Sequence, residues 1–296
     1  MDIFFRCHFS FLKCSRNTKS GGSHLKFSEA VKNHLSDYKK EELGVYENGI
    51  WKRNDRPYPH ILPPELWEFN LLENYRQELT RYIEEKDIHR HQDFHHLNSS
   101  QAVCFNFFYP LIAERKIDML LEILELENEI VEDWAFEKVL IPKEGTTFDF
   151  YLKLQSGRQI FFEIKYSERE FGKVKSIGKY RRKYEEFYKN RLEGKIKPGL
   201  NEYEELINHY QLLRHISYVD ETKNHLFIII CPEENNKLLQ EYNDVLNHVI
   251  VPELHGKIRL QTWESIVTAF NQLLLLNNAP LRLLHHYSQF EDKYLL

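Results

Sequence analysis

The sequence has few cysteines, and no spacing pattern joins them. Its 296 residues contain four, Cys7, Cys14, Cys104 and Cys231, which form neither a disulfide framework nor a zinc-ligand motif. Because intracellular thiols stay reduced, sparse and unpatterned cysteines are typical of proteins from a reducing compartment. We therefore predict a cytoplasmic protein without disulfides.

Long apolar runs and an excess of positive charge are also absent. No stretch reaches the length of a membrane-spanning helix, so no membrane partner is expected. The N-terminus carries Asp2 and Arg6 within its first residues, which makes it a poor match to a secretory signal peptide. The net charge of −5 argues against a chain coated in positive charge, so any surface for nucleic acid must be local.

The remaining composition supports a folded core, since 42% of the residues are apolar and the length allows one large domain or two small ones. Apolar periodicity predicts most of the secondary structure. Helices are predicted over 27–43, 66–85, 99–110, 111–128, 202–218, 233–250 and 263–276, and strands over 135–141, 225–231 and 257–262.

The stretch 146–166 organises the chain around a predicted hairpin. Two runs rich in aromatic residues flank the turn at 155–157, and Leu154 is expected to face Arg158. The same register sets Asp149 opposite Glu163, with Cβ atoms roughly 5 Å apart. Like charges directly opposite destabilise a sheet, so this pair calls for a counter-ion, and a divalent cation is the obvious one.

Lys165 lies two residues beyond Glu163 and therefore on the same face of its strand. Asp149, followed across a hairpin by Glu163-Ile164-Lys165, resembles the PD-(D/E)xK superfamily of metal-dependent nucleases, in which Phe148 here replaces the proline. The alternative is that these charges are solvated on the open face of an antiparallel sheet. The segment 160–164 is too apolar for an ordinary solvent-exposed edge.

The resemblance implies an α/β, restriction-endonuclease-like core. Its element order is αβββαβ, with a mixed central sheet flanked by helices and a helical N-terminal extension. We predict a helical or irregular extension over 1–97, a PD-(D/E)xK nuclease-like domain over 98–276 and a C-terminal tail over 277–296.

The resemblance also implies Mg²⁺ as cofactor, with Mn²⁺ as a substitute. Lys165 would orient or help deprotonate the attacking water, and Gln211 would be the glutamine that some members carry on the following helix. The implied catalytic residues are Asp149, Glu163, Lys165, Gln211 and Glu137, with Glu114 as the alternative to Glu137, and the implied metal ligands are the Asp149 and Glu163 carboxylates and the Ile164 carbonyl.

A basic segment follows the hairpin. Between Arg169 and Lys197, eleven Lys or Arg stand against four Glu, with aromatic residues interleaved, which is typical of a surface that binds a nucleic-acid backbone. The alternative is a solvated helix whose aromatic residues pack inward. The candidate contacts are Lys173, Lys175, Lys179, Arg181, Arg182, Lys183 and Arg214.

Two further groups of polar residues have open interpretations. The histidines of 89–96 are predicted to form a polar surface turn in preference to a zinc site, because no cysteine lies nearby. Ser99 or Ser100 is the expected N-cap of the helix that follows. Gln101 and Asn106 within that helix either satisfy local backbone groups or contact the active site or a phosphate.

The predicted function is hydrolysis of DNA phosphodiester bonds by a Mg²⁺-dependent enzyme of defence or DNA processing. DNA is the expected partner, and the resemblance allows a homodimer, although no residue marks a dimer interface. Two other functions stay open: a non-catalytic nucleic-acid-binding protein that retains the fold, and a nuclease acting on RNA.

Overall fold

The fold is known from a computed structural model that describes residues 26–175 and 178–296. The signal-peptide prediction and Cys7 and Cys14 lie outside the described residues. Within this part of the chain, no helix is long and apolar enough to cross a membrane.

After a mainly helical N-terminal region, three consecutive strands are followed by helices that are interrupted by two further strands. The helices are α1 (Phe27–Glu41), α2 (Arg76–Glu85), α3 (Ser100–Ala113), α4 (Ile117–Ile123), α5 (Gly178–Lys183), α6 (Lys189–Leu192), α7 (Glu202–Asn208), α8 (Tyr210–Ile216), α9 (Asn236–Asp244), α10 (Trp263–Leu276) and α11 (Leu281–Tyr294). The strands are β1 (Ile50–Trp51), β2 (Arg56–Pro57), β3 (Val131–Val139), β4 (Thr147–Leu154), β5 (Gln159–Ile164), β6 (Leu226–Cys231) and β7 (Ile258–Thr262). Short 3-10 and π-helical segments cover Pro64–Asn70, Glu73–Tyr75, Tyr184–Tyr188, Val245–Val249 and Pro252–Lys257.

The central sheet has the strand order β3-β4-β5-β6-β7. The first three strands are antiparallel, whereas β5, β6 and β7 run parallel. Every residue of β6 is buried, because helices cover both faces of the sheet there. The predicted α/β fold with a mixed sheet flanked by helices is confirmed, as is a helical N-terminal region.

The hairpin of β4 and β5 has the predicted register. Phe150 pairs with Phe162, and the Leu154 N–H donates to the Arg158 carbonyl at 2.9 Å. Gly157 adopts a φ of +86°, which a side chain would disfavour. The local turn sequence therefore sets which residues of the two strands face each other.

Several helices are shorter or longer than predicted. The range 111–128 contains the last residues of α3 and then α4, because the chain turns through a positive φ at Arg115 and again at Glu125. The helix predicted over 66–85 is α2 preceded by 3-10 segments, and that over 202–218 breaks at His209 into α7 and α8.

The helix α3 continues beyond Pro110, where we predicted its end. Proline has no N–H, so the Asn106 carbonyl one turn earlier loses its helical donor. The ring of His286 supplies the missing hydrogen bond, with Nε2 2.7 Å from that carbonyl oxygen. Ser99 is the N-cap, as one of the two predicted candidates, and its side chain accepts from the Ala102 N–H.

One hydrophobic cluster joins parts of the chain that we assigned to separate domains. It contains Leu35 of α1, Phe105 of α3, Phe162 of β5 and Tyr287 of α11. Residues 277–296, the expected tail, thus include a helix packed in the core, and Lys293 is fully buried with its Nζ 2.6 Å from the Asn70 carbonyl. A second cluster covers the opposite face of the sheet and includes Phe161 and residues of α7 and α8.

Candidate active site

Asp149 lies at the centre of a group of polar side chains at the end of the hairpin. Its Oδ2 accepts a hydrogen bond from the Ile164 N–H at 2.6 Å, across the strand pair. Burial, Glu163 and Glu137 together raise the pKa of Asp149 well above its ordinary value, and the charge of Lys165 only partly opposes them. Asp149 is thus a carboxylate with too few donors and two acidic neighbours, the pattern expected of a functional acid.

Glu163 faces α8, and three side chains hold it. Lys165 Nζ lies 2.8 Å from Glu163 Oε1, and the Gln211 amide donates to the same oxygen. The second oxygen, Oε2, is 3.2 Å from Nδ1 of the buried His215. Burial, Arg214 and Lys165 lower the pKa of His215 well below its ordinary value, so the ring is neutral at pH 7.

Lys165 remains positively charged although it is buried. Burial alone would lower its pKa, but Glu163, Glu168 and Asp149 raise the pKa above its ordinary value. Its Nζ also donates to Gln211 Oε1 at 3.1 Å. The same Gln211 oxygen accepts from the Gly172 N–H, so α8 fixes both the lysine and the loop that follows it.

Glu137 supplies the third acid, and its backbone is unusual. The neighbouring residues Phe136 and Lys138 pair with Phe150 and Phe148, which flank Asp149. Glu137 itself adopts a φ of +49° inside β3, a conformation that costs a non-glycine residue about 1–3 kcal/mol and is concentrated at functional sites.

Two side chains contact the Glu137 carboxylate. The Gln101 amide donates to Oε1 at 2.8 Å, and His91 Nε2 lies 3.7 Å from Oε2. The contact with Glu137 raises the pKa of His91, against the effect of burial. Gln101 also accepts from the His91 N–H and donates to the His89 carbonyl, so it fulfils both of its open interpretations, backbone support and contact with the site.

Two sequence candidates lie elsewhere. Glu114 accepts from the Tyr75 hydroxyl at 2.7 Å near α11, so it is not the additional acid of this site. Asn106 has the structural interpretation, because its side chain satisfies the Leu72 N–H and the Asn70 carbonyl.

The histidine segment only partly matches the predicted polar surface turn. His95 and His96 are buried, whereas His91 is half exposed and reaches Glu137. Burial lowers the pKa of His96 to about 4, against the nearby charge of Asp93. The residues around this segment bury the two rings. The run of polar residues in the sequence did not predict this burial.

The cations of the basic segment and Arg214 are here called the basic surface, defined as Lys173, Lys175, Lys179, Arg181, Arg182, Lys183 and Arg214. Five of them are exposed, whereas Lys183 and Arg214 are half-buried. The inward packing of aromatic residues, which belonged to the alternative interpretation, also occurs, since Tyr184 and Tyr188 are buried. Arg181 is paired with Glu185 at 2.9 Å, while Lys179 and Arg182 make no ion pair with any described residue. Burial and the charges of Lys179 and Arg214 lower the pKa of Lys183, which places these three cations close together.

The oxygen donors of the site fit a hard divalent cation. Asp149 Oδ1 accepts no hydrogen bond from a described residue, and its carboxylate lies in the field of two other acids. Within 26–175 and 178–296, no group of three His, Cys, Asp or Glu side chains is close enough to enclose a metal. Mg²⁺ does not require such a cage, because it is commonly held by one or two carboxylates and completes its shell with water and substrate phosphate.

The fold and the placement of these residues define a restriction-endonuclease-like protein. The sequence model of the family described as "Restriction Endonuclease associating with ARP" matches residues 32–295, nearly the whole chain, so the protein belongs to this family. No curated protein and no solved structure matches the chain significantly.

Sequence reasoning missed His91 and His215 as neighbours of the site. His215 lies four residues after Gln211, and such residues share a helix face, so the signal was present in α8. His91 comes from an irregular segment, and no local pattern predicts that it reaches Glu137.

Proposed function

We propose that this protein is a metal-dependent nuclease that hydrolyses phosphodiester bonds of DNA, with a PD-(D/E)xK-type site. The observation that carries the proposal is the partly buried carboxylate of Asp149, underprovided with donors and set beside Glu163, Glu137 and the ammonium of Lys165. An acid with so few donors destabilises the fold when it binds nothing. It is useful in a site that receives a cation and a phosphate.

Asp149, Glu163 and the Ile164 carbonyl would hold Mg²⁺, or Mn²⁺ in its place. When bound, the ion polarises a phosphate and makes a water more acidic. Glu137 is the additional acid, and its carboxylate adds to the negative charge of the site. Gln101 is a positioning residue, because its amide donates a hydrogen bond to that carboxylate.

Lys165 acts through its positive charge. Because its carboxylate neighbours raise its pKa, it stays an ammonium at neutral pH and offsets the charge that builds on the phosphate in the transition state. Deprotonation of water by Lys165, the other role that we considered, is disfavoured by the same shift. Gln211 aligns Lys165 and Glu163 by bonding to both.

The basic surface would hold the DNA backbone beside these residues. Lys179 and Lys183 belong to α5, and Arg214 belongs to α8, which also carries Gln211. Cations of this kind contribute binding that is independent of sequence and sensitive to salt.

The test is incubation of the purified protein with plasmid, linear duplex, single-stranded DNA and RNA, each with Mg²⁺ or with EDTA. We expect cleavage of DNA only with the metal, and none by an Asp149→Asn variant purified in parallel. Asp133→Asn is the matched control, because Asp133 is an exposed acid of β3 paired only with Lys138. Cleavage of RNA alone would favour the RNA nuclease, whereas binding of DNA without cleavage under any condition would favour the non-catalytic alternative.

A further inference from the structure

A cleft of about 610 Å³ opens beside Asp149, Glu163 and Glu137, here called the acid cluster. The half-exposed His91 lies in its wall and contacts Glu137 with its ring. Ser167 and Glu168, which follow Lys165 by two and three residues, also line the cleft. The cleft thus adjoins the site through His91, and its lining includes further residues of α1, β1, the start of α3 and the loops near them.

One wall of the cleft is a chain of neutral rings. Trp51 lies 5.8 Å from Tyr58 between ring centroids, Tyr58 lies 5.9 Å from His60, and His60 lies 6.4 Å from His96. Burial and Lys32 lower the pKa of His60 to about 3, and His96 is neutral for the same reason of burial. At pH 7 the wall thus offers aromatic surface without charge of its own.

Cations also line the cleft, and the guanidinium carbon of Arg53 lies 5.6 Å from the centroid of the Trp51 ring. Lys32, Arg53 and Arg169 line the cleft against two acids, Asp93 and Glu168. The Glu168 carboxylate is already engaged, since it accepts from the Tyr166 N–H at 2.7 Å. The lining therefore has an excess of positive charge next to flat rings, which is the combination that binds a nucleotide through its phosphate and its base.

A second cleft, of about 530 Å³, shows that this combination is not general to the molecule. Its lining has two cations, Arg191 and Lys195, against four acids. The acids are Glu193, Asp220, Glu221 and Glu253. A negatively charged lining repels phosphate, so of these two clefts the one beside the acid cluster suits a nucleotide better.

Buried polar atoms in the wall of the first cleft still lack partners. Trp51 Nε1, His96 Nε2 and Asn98 Oδ1 form no hydrogen bond with any residue that the structure describes. Buried groups of this kind normally have partners. Each of these atoms has almost no solvent-accessible surface, so a ligand in the cleft would reach them only if the wall adjusted around it.

We propose that this cleft binds one unpaired nucleotide of the strand that the acid cluster cuts. The base lies against Trp51 and Tyr58, and its phosphate points to Lys32, Arg53 and Arg169. A cleft of this volume is in the range of small-ligand sites, and stacking on side chains requires a base that has left its partner. The inference rests on the proposed function, because it names the form of nucleic acid that the same site receives.

The test measures binding without cleavage. A fluorescein-labelled single strand, and the same strand in a duplex, are titrated with the full-length protein in EDTA and followed by fluorescence anisotropy. Trp51→Ala should weaken binding of the single strand by about 5- to 100-fold, the contribution of one stacked base. Arg53→Gln should weaken it as well, while duplex affinity stays at the parental value. Tyr46→Ala is the control, since Tyr46 is a 76% exposed aromatic residue outside the cleft.

Two results would overturn the proposal. If the Trp51→Ala and Arg53→Gln variants bind the single strand as tightly as Tyr46→Ala does, the cleft does not receive the strand. Equal losses for duplex and single strand would assign the residues to a general backbone surface. Should Trp51→Ala fail to fold in a thermal melt, the exposed Arg53 decides the outcome. Because no cleavage is measured, a protein that never cuts DNA can still show this binding, so the two proposals fail separately.

Discussion

Glu144, just before β4, and Asp149, within it, are acids with opposite surroundings. Glu144 is fully buried and accepts hydrogen bonds from the Tyr218 hydroxyl at 2.6 Å, from the Tyr188 hydroxyl and from Thr146. These hydrogen bonds outweigh burial and lower its pKa below the ordinary value. The structure provides Asp149 with one backbone donor and two acidic neighbours, and its pKa rises.

The comparison teaches that burial does not separate structural acids from functional ones. The donors make the difference for these two acids, because Glu144, whose oxygens are satisfied, stabilises the fold, while Asp149 is left short of donors and retains capacity for a ligand. Glu144 joins the start of β4 to the π-helical segment that carries Tyr188 and to the turn after α8 that carries Tyr218. Asp149 has no such function in the packing, which is why its surroundings favour a role in binding and catalysis.

The strongest test of this contrast exchanges each acid for its amide. Asp149→Asn should abolish cleavage while the free energy of unfolding in metal-free buffer stays equal or rises, because repulsion from Glu163 and Glu137 is relieved. Glu144→Gln should leave cleavage intact at a temperature where it is folded but lower that free energy by about 1–3 kcal/mol, because hydroxyl donors lose a charged acceptor. Nuclease assays and urea unfolding measure the two effects. A stable but inactive Glu144→Gln would contradict the division.

Lys165 offers a test in which stability and activity can be separated. Lys165→Met leaves the Glu163 carboxylate without its ammonium, so we expect a loss of about 3–5 kcal/mol in stability and a rate lower by about 10²- to 10⁴-fold. The double variant Lys165→Met/Glu163→Gln removes both charges, so it should recover most of the stability and none of the activity. A double variant no more stable than the single one would mean that the 2.8 Å pair does not balance charge.

Two polar residues of α3 repeat the contrast on a smaller scale. Gln101 holds Glu137, so Gln101→Ala should reduce the cleavage rate by about 10- to 100-fold, the usual effect of losing a group that orients a metal-site acid. Asn106 satisfies backbone groups, so Asn106→Ala should lower the free energy of unfolding and leave the rate constant of the folded enzyme unchanged. Single-turnover kinetics, corrected for the folded fraction, distinguish the two. Equal rates for both variants would remove the positioning role of Gln101.

The sequence predicted those parts of the site that depend on local patterns. The turn at 155–157 and the alternation of its strands set the register that brings Asp149 opposite Glu163, and both are short-range features. The position of Gln211 could be predicted from the sequence, because helix periodicity and element order are sufficient to place it. The positive φ of Glu137 and the reach of His91 depend on contacts between distant segments, for which composition and spacing carry no signal.

The same limit applies to α11. The segment that we predicted as a tail is a core helix, because His286 and Lys293 satisfy carbonyls of α3 and the N-terminal region. In the sequence, a buried polar residue resembles a solvent-exposed one until its partner is known. Pro110 was the available signal, since a helix that passes a proline leaves a carbonyl that needs a donor.

The smallest expected effect is the change of the free energy of unfolding with pH in metal-free buffer. It is also the most direct test of the difference between the two acids. Glu144 has a lowered pKa in the fold, so its stabilisation is complete above its ordinary value of 4.5 and is lost as the pH falls through the lowered pKa. The stability lost in Glu144→Gln, relative to the parent, should therefore shrink only on the acid side of that value. Asp149 has a raised pKa, so its cost is complete above the raised pKa and fades as the pH falls toward its ordinary 3.8. The stability gained by Asp149→Asn should accordingly shrink as the pH is lowered from neutral, beginning at higher pH than the change for Glu144→Gln. Urea unfolding of the parent and both variants across this range, with EDTA present, gives the stability of the parent minus that of each variant. As the pH falls, this difference should decrease toward zero from a positive value for Glu144→Gln and rise toward zero from a negative value for Asp149→Asn. Changes in the same direction would show that the two acids do not differ in the way their donors indicate.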